Sequence, residues 1–353
     1  AKEVGTYYMQ DIHVGPGLAG VPRGEVKMLR VVALEVRAAG VGMNNSGGPG
    51  GGALVSTPVS IGNGTWDVKR VLGEATVHED GSAFFTAPAR TPVYFQAVDA
   101  KGRVVQTMRS WSTLQPGENA SCVGCHEEKN GAPPSPVYAK TMALAAAPEL
   151  LTPLGEETQG FSFVREVQPI LDRHCVRCHD DREPVLELAA GRAEPVMKTP
   201  RTGPGEKAFS LLGEEILDAR AKRRWSDAYL VLTEAKRDGK DGKGPFRGNP
   251  DGRLVKWVSS QSAPTPQQPY AAGSTQSELM TLLESGHGGV TLSPREYEAI
   301  ACWIDLSVPY AGDYLEANAW SEAEMEKYIR YADKRRKFEE IDLESMRRLR
   351  DGR

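Results

Sequence analysis

Hydrophobic and polar positions change their period along this chain. Up to about residue 115 the apolar residues come in short branched runs. Val26–Val36 is rich in branched residues and only partly alternates. Ala75–His78 and Ala83–Phe85 flank Glu79-Asp80-Gly81-Ser82, where Asp-Gly predicts a hairpin turn. Val93–Val98 and Arg103–Met108 flank Asp99-Ala100-Lys101-Gly102, a second predicted hairpin. Short strands with such turns suggest a small β-sandwich. After residue 160 the period becomes helical. Phe163, Val164, Val167, Ile170 and Leu171 predict a helix running up to Cys175. Ser277–Glu284 predicts a short helix that stops at Gly286-His287-Gly288-Gly289. Ser293-Pro294-Arg295-Glu296 has the residues of a capping box with Pro in the first turn. The helix it opens puts Tyr297, Ile300, Ala301 and Ile304 on one face. Residues 180–270 are polar and predict no element. Residues 321–353 read as a charged helix carrying Met325, Tyr328, Ile329, Phe338, Ile341 and Leu343.

The expected fold class is therefore α+β multidomain. Residues 1–115 form a β-sandwich-like domain, and 116–160 an irregular segment packed on it. Residues 161–320 form a mainly helical domain, and 321–353 the charged C-terminal helix. A length of 353 residues suits such a division. No apolar run approaches the roughly 20 residues of a membrane span, so the chain is not expected to cross one. A net charge of -4 argues against a nucleic-acid partner, which would demand a basic excess. The 24 prolines and 37 glycines suit irregular chain wrapped around something other than side chains. The chain starts at Ala1 without a charged-then-apolar leader, which is expected of a processed export substrate or of a fragment.

The cysteines supply the chemistry. Cys122-Val123-Gly124-Cys125-His126 and Cys175-Val176-Arg177-Cys178-His179 are two copies of C-x-x-C-H. Two thiols at this spacing reach the vinyl groups along one edge of a haem. The next imidazole then falls under the iron. A zinc site, paired disulfides or a thioredoxin-like dithiol would use the same cysteines. None of them requires the following histidine, and histidine occupies only 6 of 353 positions. Two covalently bound haem c groups are the reading. Attachment of c-type haem outside the cytoplasmic membrane then places the protein in the periplasm or otherwise exported. Cys302, in Ala301-Cys302-Trp303-Ile304, reads as a buried inert thiol. The glycine-rich run from Gly40 to Gly52 lacks a phosphate-cradling pattern and reads as a flexible loop. Asp238–Lys243 lacks the full calcium-loop pattern and reads as a solvated turn.

His126 and His179 are the expected iron ligands of the two motifs. His287 stands in a glycine-flanked loop, where the backbone passes close to a flat cofactor, and is the expected partner of His179. Met280 and Met197 are the thioether alternatives. His174 precedes Cys175 directly and faces, if any iron, the first. For the first haem, His78 or His13 is the candidate sixth ligand. Without one, that iron is five-coordinate and open to a small molecule.

Several ordered stretches resemble a known family. They are Glu79–Ala83, Gln106–Ser110, Ser121–Glu127, Val167–Leu171, Gly286-His287 and Trp303–Leu306, spread from about residue 11 to 320. Together they are similar to the haem-bearing middle and C-terminal regions of the hydrazine synthase alpha subunit family. The resemblance implies a β-rich domain with one haem and a cytochrome c-like helical domain with a bis-His haem, held by His179 and His287. In that family a tyrosine four residues past the first motif's histidine binds the iron, and the histidine turns to zinc. Asn130 stands at the matching position here, which returns His126 to iron ligation. The functional expectation is a dihaem cytochrome that transfers electrons in an exported assembly, rather than a hydrazine synthase. Its partners would be redox proteins or a larger membrane-associated complex. The alternative is a redox enzyme acting on a small nitrogen or oxygen species at an open first haem.

Overall fold

A computed structural model describes residues 3–35, 57–126, 140–154, 160–180, 209–239, 242–262 and 265–352. The Gly40–Gly52 run, Asn130 and Met197 lie outside the described residues. Among the described residues, seven strands build the N-terminal half: β1 Val4–Met9, β2 Met28–Leu34, β3 Lys69–Thr76, β4 Ala83–Pro88, β5 Val93–Val98, β6 Val104–Thr107 and β7 Asn119–Cys122. They form two sheets, ordered β4-β1-β7 and β3-β2-β5-β6. The sheets share one core, with Tyr7, Met9 and Phe85 from the first against Leu29, Val31, Ala97 and Val105 from the second. Tyr7 and Phe85 both meet Phe95 edge-on, at 5.0 and 5.7 Å between ring centres.

The two predicted turns end differently. Asp99–Gly102 joins β5 to β6 in one antiparallel pair, closed by Asp99 N–H on the Arg103 carbonyl at 2.9 Å. The Asp80-Gly81 turn also closes locally, with His78 N–H on the Ser82 carbonyl at 2.9 Å. Its flanking strands nevertheless part: β3 pairs with β2, and β4 with β1. It is a corner between sheets and not a hairpin. A tight turn bends the chain, but the partner of each strand is chosen by burial.

β2 alternates only partly because both its faces are covered. Val31 faces the sandwich core. Val32 and Tyr94 face Cys302 and Leu306 of a helix from the C-terminal half.

Among its described residues that half holds the four helices the sequence predicts and one more. They are α1 Gln168–His174, α2 Asp227–Leu232, α3 Glu278–Glu284, α4 Pro294–Asp305 and α5 Glu322–Arg350. Two small hairpins stand among them, β8 Glu215–Asp218 with β9 Arg223–Ser226, and β10 Lys236–Arg237 with β11 Phe246–Arg247. The expectation of a mainly helical domain is thereby corrected. The polar stretch 180–270 supplies much of the second core. Trp225, Tyr229 and Leu232 pack there with Phe163, Trp303 and Tyr310. Widely spaced aromatics carry this burial, so no period announced it. Tyr229 is satisfied inside the core, donating to the Val308 carbonyl at 2.7 Å and accepting from Ile61 N–H at 3.0 Å.

α4 joins the halves. Its capping box forms as read, with Ser293 and Glu296 each bonding the other's backbone. Arg30 of β2 is fully buried beneath it and reaches Glu74 at 2.9 Å and Glu298 at 3.2 Å. Cys302 is buried, and burial pushes its thiol up to about 12. Asp305, at the end of α4, accepts from Ser274 N–H at 2.7 Å, Ser274 Oγ at 2.7 Å and Val104 N–H at 3.1 Å. Burial outweighs these bonds and pushes its carboxyl up to about 6. The folded protein therefore holds a proton that the unfolded chain has already released between about pH 4 and 6. Stability from this group falls as pH rises through that window and is level above it. Asp305→Asn is expected to remove that slope. Urea unfolding of both proteins at several pH values checks it: the free-energy difference between them should change from about pH 4 to 6 and stay constant from 6 to 8.

Candidate haem sites

The second motif continues a helix. Phe163–Val167 winds as a wide helical turn into α1, with Ser162 Oγ accepting from Arg165 N–H. Ile170 and Leu171 anchor α1 in the core. The turn persists beyond it: Cys175 N–H bonds the Leu171 carbonyl at 2.8 Å, and His179 N–H bonds the Cys175 carbonyl at 3.0 Å. Cys175, Cys178 and His179 thereby line one cavity of about 340 Å³. Its wall is mostly apolar, with Leu171, Phe209, Leu232, Leu254, Leu279 and Ile300.

His287 lies on the same cavity, carried by the loop after α3. Gly286, Gly288 and Gly289 all take positive φ, at 75°, 61° and 72°, which side-chain-bearing residues rarely adopt. Arg177 Nη2 donates to the Gly288 carbonyl at 3.3 Å and ties this loop to the motif. The His179 and His287 ring centres are 6.1 Å apart, with planes 17° from parallel. This separation bears on whether haem fits. A metal–nitrogen bond of about 2.0 Å, and roughly 1.1 Å from each nitrogen to its ring centre, put two imidazoles on one metal about 6 Å apart. The pair and its apolar wall fit a bis-imidazole haem. Burial, with a smaller contribution from His287, lowers the His179 pKa and favours the neutral, ligating imidazole. Met280 is buried in the core and is not among the residues lining the cavity. His174 does not face the first motif. Its Nε2 lies 3.0 Å from Glu296 Oε1, and it lines this second cavity. Glu296 is held down to about 2, first by the Ser293 backbone N–H and then by Arg173 and His174.

The first motif instead ends a strand. β7 pairs in parallel with β1, setting Met9 beside Cys122. The following loop is sewn to the chain after β1. Gln10 N–H bonds the Cys122 carbonyl at 2.9 Å, Asp11 N–H the Val123 carbonyl at 3.1 Å, and Gly17 N–H the Cys125 carbonyl at 3.2 Å. The approach is close enough to demand glycine. A Cβ on Gly17 would stand 2.6 Å from Cys125 Sγ, and one on Gly124 2.1 Å from the Val14 carbonyl oxygen. Cys122, Cys125 and His126 border a cavity of about 630 Å³ at the mouth of the sandwich, between the edge strands β6 and β7. Both thiols and the imidazole meet one cavity, so this site also fits a covalently held haem.

Neither His13 nor His78 lines this cavity. His13 sits in a turn with its N–H on Asp11 Oδ1 at 3.0 Å, and the His78 backbone closes the corner after β3. The sequence reading missed Tyr7 and Met9, which do line it. Tyr7 donates to Ser112 Oγ at 3.0 Å across the same space. Alternation along β1 was the available signal, since its buried positions are Gly5, Tyr7 and Met9. Because the motifs line separate cavities, they do not form one four-thiolate zinc site. No metal-binding group of three or more His, Cys, Asp or Glu occurs among the described residues.

A family model described as the hydrazine synthase alpha subunit middle domain matches residues 24–127. The match runs from just before β2 to just past His126. Over this stretch the chain is similar to the hydrazine synthase alpha subunit family. Hydrazine synthase subunit alpha of Kuenenia stuttgartiensis is 23% identical to it, over 50% of this chain and 28% of that protein. The solved Kuenenia stuttgartiensis hydrazine synthase aligns with a TM-score of 0.48 at 19% identity, over 88% of this chain and 44% of that one. The chain thus spans less than half the length of each of these relatives.

The Gly17 contact yields a stability expectation. Gly17→Ala should force the loop off Cys125 and lower stability by about 1–3 kcal/mol. Thermal unfolding should show a lower midpoint, while Gly213→Ala, whose added Cβ would meet no atom closer than 3.4 Å, serves as a second variant without a clash. Equal midpoints for both variants would contradict the close approach.

Proposed function

We propose that the chain is a dihaem c-type cytochrome that passes electrons within an exported redox assembly. The observation that carries this reading is the facing pair His179 and His287, 6.1 Å between ring centres, on the cavity that also holds Cys175 and Cys178. Cys175 and Cys178 would hold the second haem, with His179 and His287 supplying nitrogen to its iron. Cys122, Cys125 and His126 would hold the first. Bound haem supplies one-electron exchange at a potential set by ligation and burial. The protein's own contribution at the second site is the apolar wall, which keeps water from the ring, and the glycine loop, which lets His287 approach. Partial burial keeps His179 neutral and ready to ligate.

The first cavity supports a second reading, a redox enzyme acting on a small nitrogen or oxygen species. Its described lining holds no imidazole besides His126, and it carries the Tyr7 hydroxyl bonded to Ser112. Such a wall leaves space beside an iron and a proton donor facing it. The curated relative is named as a subunit, which supports placing the chain in a multi-chain assembly. Among the described residues, no helix is long and apolar enough to cross a membrane.

Pyridine haemochrome analysis of the purified protein should give two haems per chain; fewer than two would overturn the dihaem reading. His287→Ala should leave the haem count at two and turn one low-spin iron high-spin by electron paramagnetic resonance. An unchanged spectrum would remove His287 from the ligand set. Carbon monoxide separates the functions: two inert reduced haems favour the carrier, and binding at one haem in the unaltered protein favours the enzyme.

A further inference from the structure

The C-terminal helix α5 spans 29 residues, and among the described residues its ion pair and ring contact to other elements fall in its first turns. Ser321 and Glu324 form a capping box, Glu324 pairs with Lys222, and the Tyr328 ring lies 5.0 Å from that of Trp320. Beyond Tyr328 the helix continues for about 30 Å. The ion pairs there run within the helix: Arg336 with Asp333, Arg335 with Glu339 and Arg348 with Glu344. Large apolar side chains stand in the open. Ile329 is 51% exposed, Phe338 55% and Ile341 58%. Tyr331, Phe338, Ile341 and Leu349 follow one another at intervals of 7, 3 and 8, which keeps them on one stripe of the helix.

The charges on this helix are sorted into blocks. Glu322, Glu324 and Glu326 open it. Arg330 to Lys337 contains five cations and one aspartate. Glu339 to Glu344 contains four anions and no cation. Arg347 and Arg348 then begin a basic end. Phe338 stands between the strongest basic block and the strongest acidic one.

We propose that α5 pairs antiparallel with α5 of a second copy of this chain, crossing at Phe338. Turning one helix about that residue sets Lys334 opposite Asp342 across the seam, twice by symmetry, and lays the basic block of each helix alongside the acidic block of the other. The basic end of each helix comes toward the acidic first turns of the other. The two Phe338 rings meet at the axis, and the stripe that includes Tyr331 and Ile341 lies along the seam. Parallel pairing in register would set the basic block against the basic block and the acidic against the acidic, which repels. The charge order therefore selects both the partner, a second α5, and its direction.

The full haem-loaded chain tests this by sedimentation equilibrium. It should dimerise reversibly, and more weakly as salt rises. Replacing Lys334, Arg335, Arg336 and Lys337 together by Glu should weaken the dimer at least about tenfold. Replacing Glu339, Glu340, Asp342 and Glu344 by Lys should do the same. An equimolar mixture of the two variants should restore a dimer, because each supplies the charge the other lost. Circular dichroism confirms that the variants keep their helix. Direction is read by cross-linking: Phe338→Cys should form a disulfide-linked dimer under mild oxidation. Tyr331→Cys should not, since its two copies would lie roughly 20 Å apart in the antiparallel pair. A monomeric unaltered chain, a dimer indifferent to both charge variants, no recovery on mixing, or cross-linking through Tyr331→Cys would each overturn the proposal.

Discussion

Arg30 has no exposed surface, so its charge must be answered inside the protein. The answer comes from both halves. Glu74 of β3 takes Nε, while Glu298 of α4 and the Gly102 carbonyl take Nη2. Removing either carboxylate would strand a buried cation at a cost of about 3–5 kcal/mol. The arrangement therefore holds only when α4 lies against the outer face of the four-stranded sheet. α4 is the element that both cores need. Its Cys302 and Leu306 meet Val32 and Tyr94 of the sandwich, while Ile300, Trp303 and Ile304 enter the aromatic core beyond. Asp305 and Lys69 complete the joint, the latter donating to the Leu306 carbonyl at 3.0 Å.

Two copies of one five-residue motif sit on this frame in different local structures. The second closes a helix, and successive backbone bonds aim its thiols and imidazole into one space. The first closes a strand, and its aim depends on a neighbouring loop that approaches within reach only because Gly17 and Gly124 lack side chains. Their surroundings differ in the same sense. The second cavity is walled mainly by leucines and faces a second imidazole. The first mixes aromatic, thioether and hydroxyl groups at the mouth of the sandwich. The pair of sites so built sets a leucine-walled cavity with two facing imidazoles apart from a more polar and larger one. Both functional readings follow from that contrast. The family match covers the stretch that shapes the first cavity, including β2, β5, β6, β7 and the first motif.

What the sequence determined by itself is what neighbours along the chain decide. The C-x-x-C-H spacing, the Ser293–Glu296 capping box, the Asp99–Gly102 hairpin and the burial of Cys302 were legible, because each depends on a few adjacent residues or on a helical period. The positive-φ glycines around His287 were legible as a loop built for close approach. The remaining features depended on contacts between distant segments. The Asp80-Gly81 turn looks like a hairpin locally, but β2 and β1 compete for its strands and win. The polar stretch 180–270 hides a core, because Trp225 and Tyr229 bury large areas without a repeating pattern. His13 and His78 were sound candidates by residue type, yet neither is among the residues lining the first cavity, where Tyr7 and Met9 stand. The approach of His287 to His179, 108 residues away in the chain, was an expectation from sequence. Only the packing of α3 against α4, with its loop tied to the second motif through Arg177, gave it a distance. Local chemistry is written in spacing, whereas the meeting of two sites is set by which surfaces the whole chain can bury together.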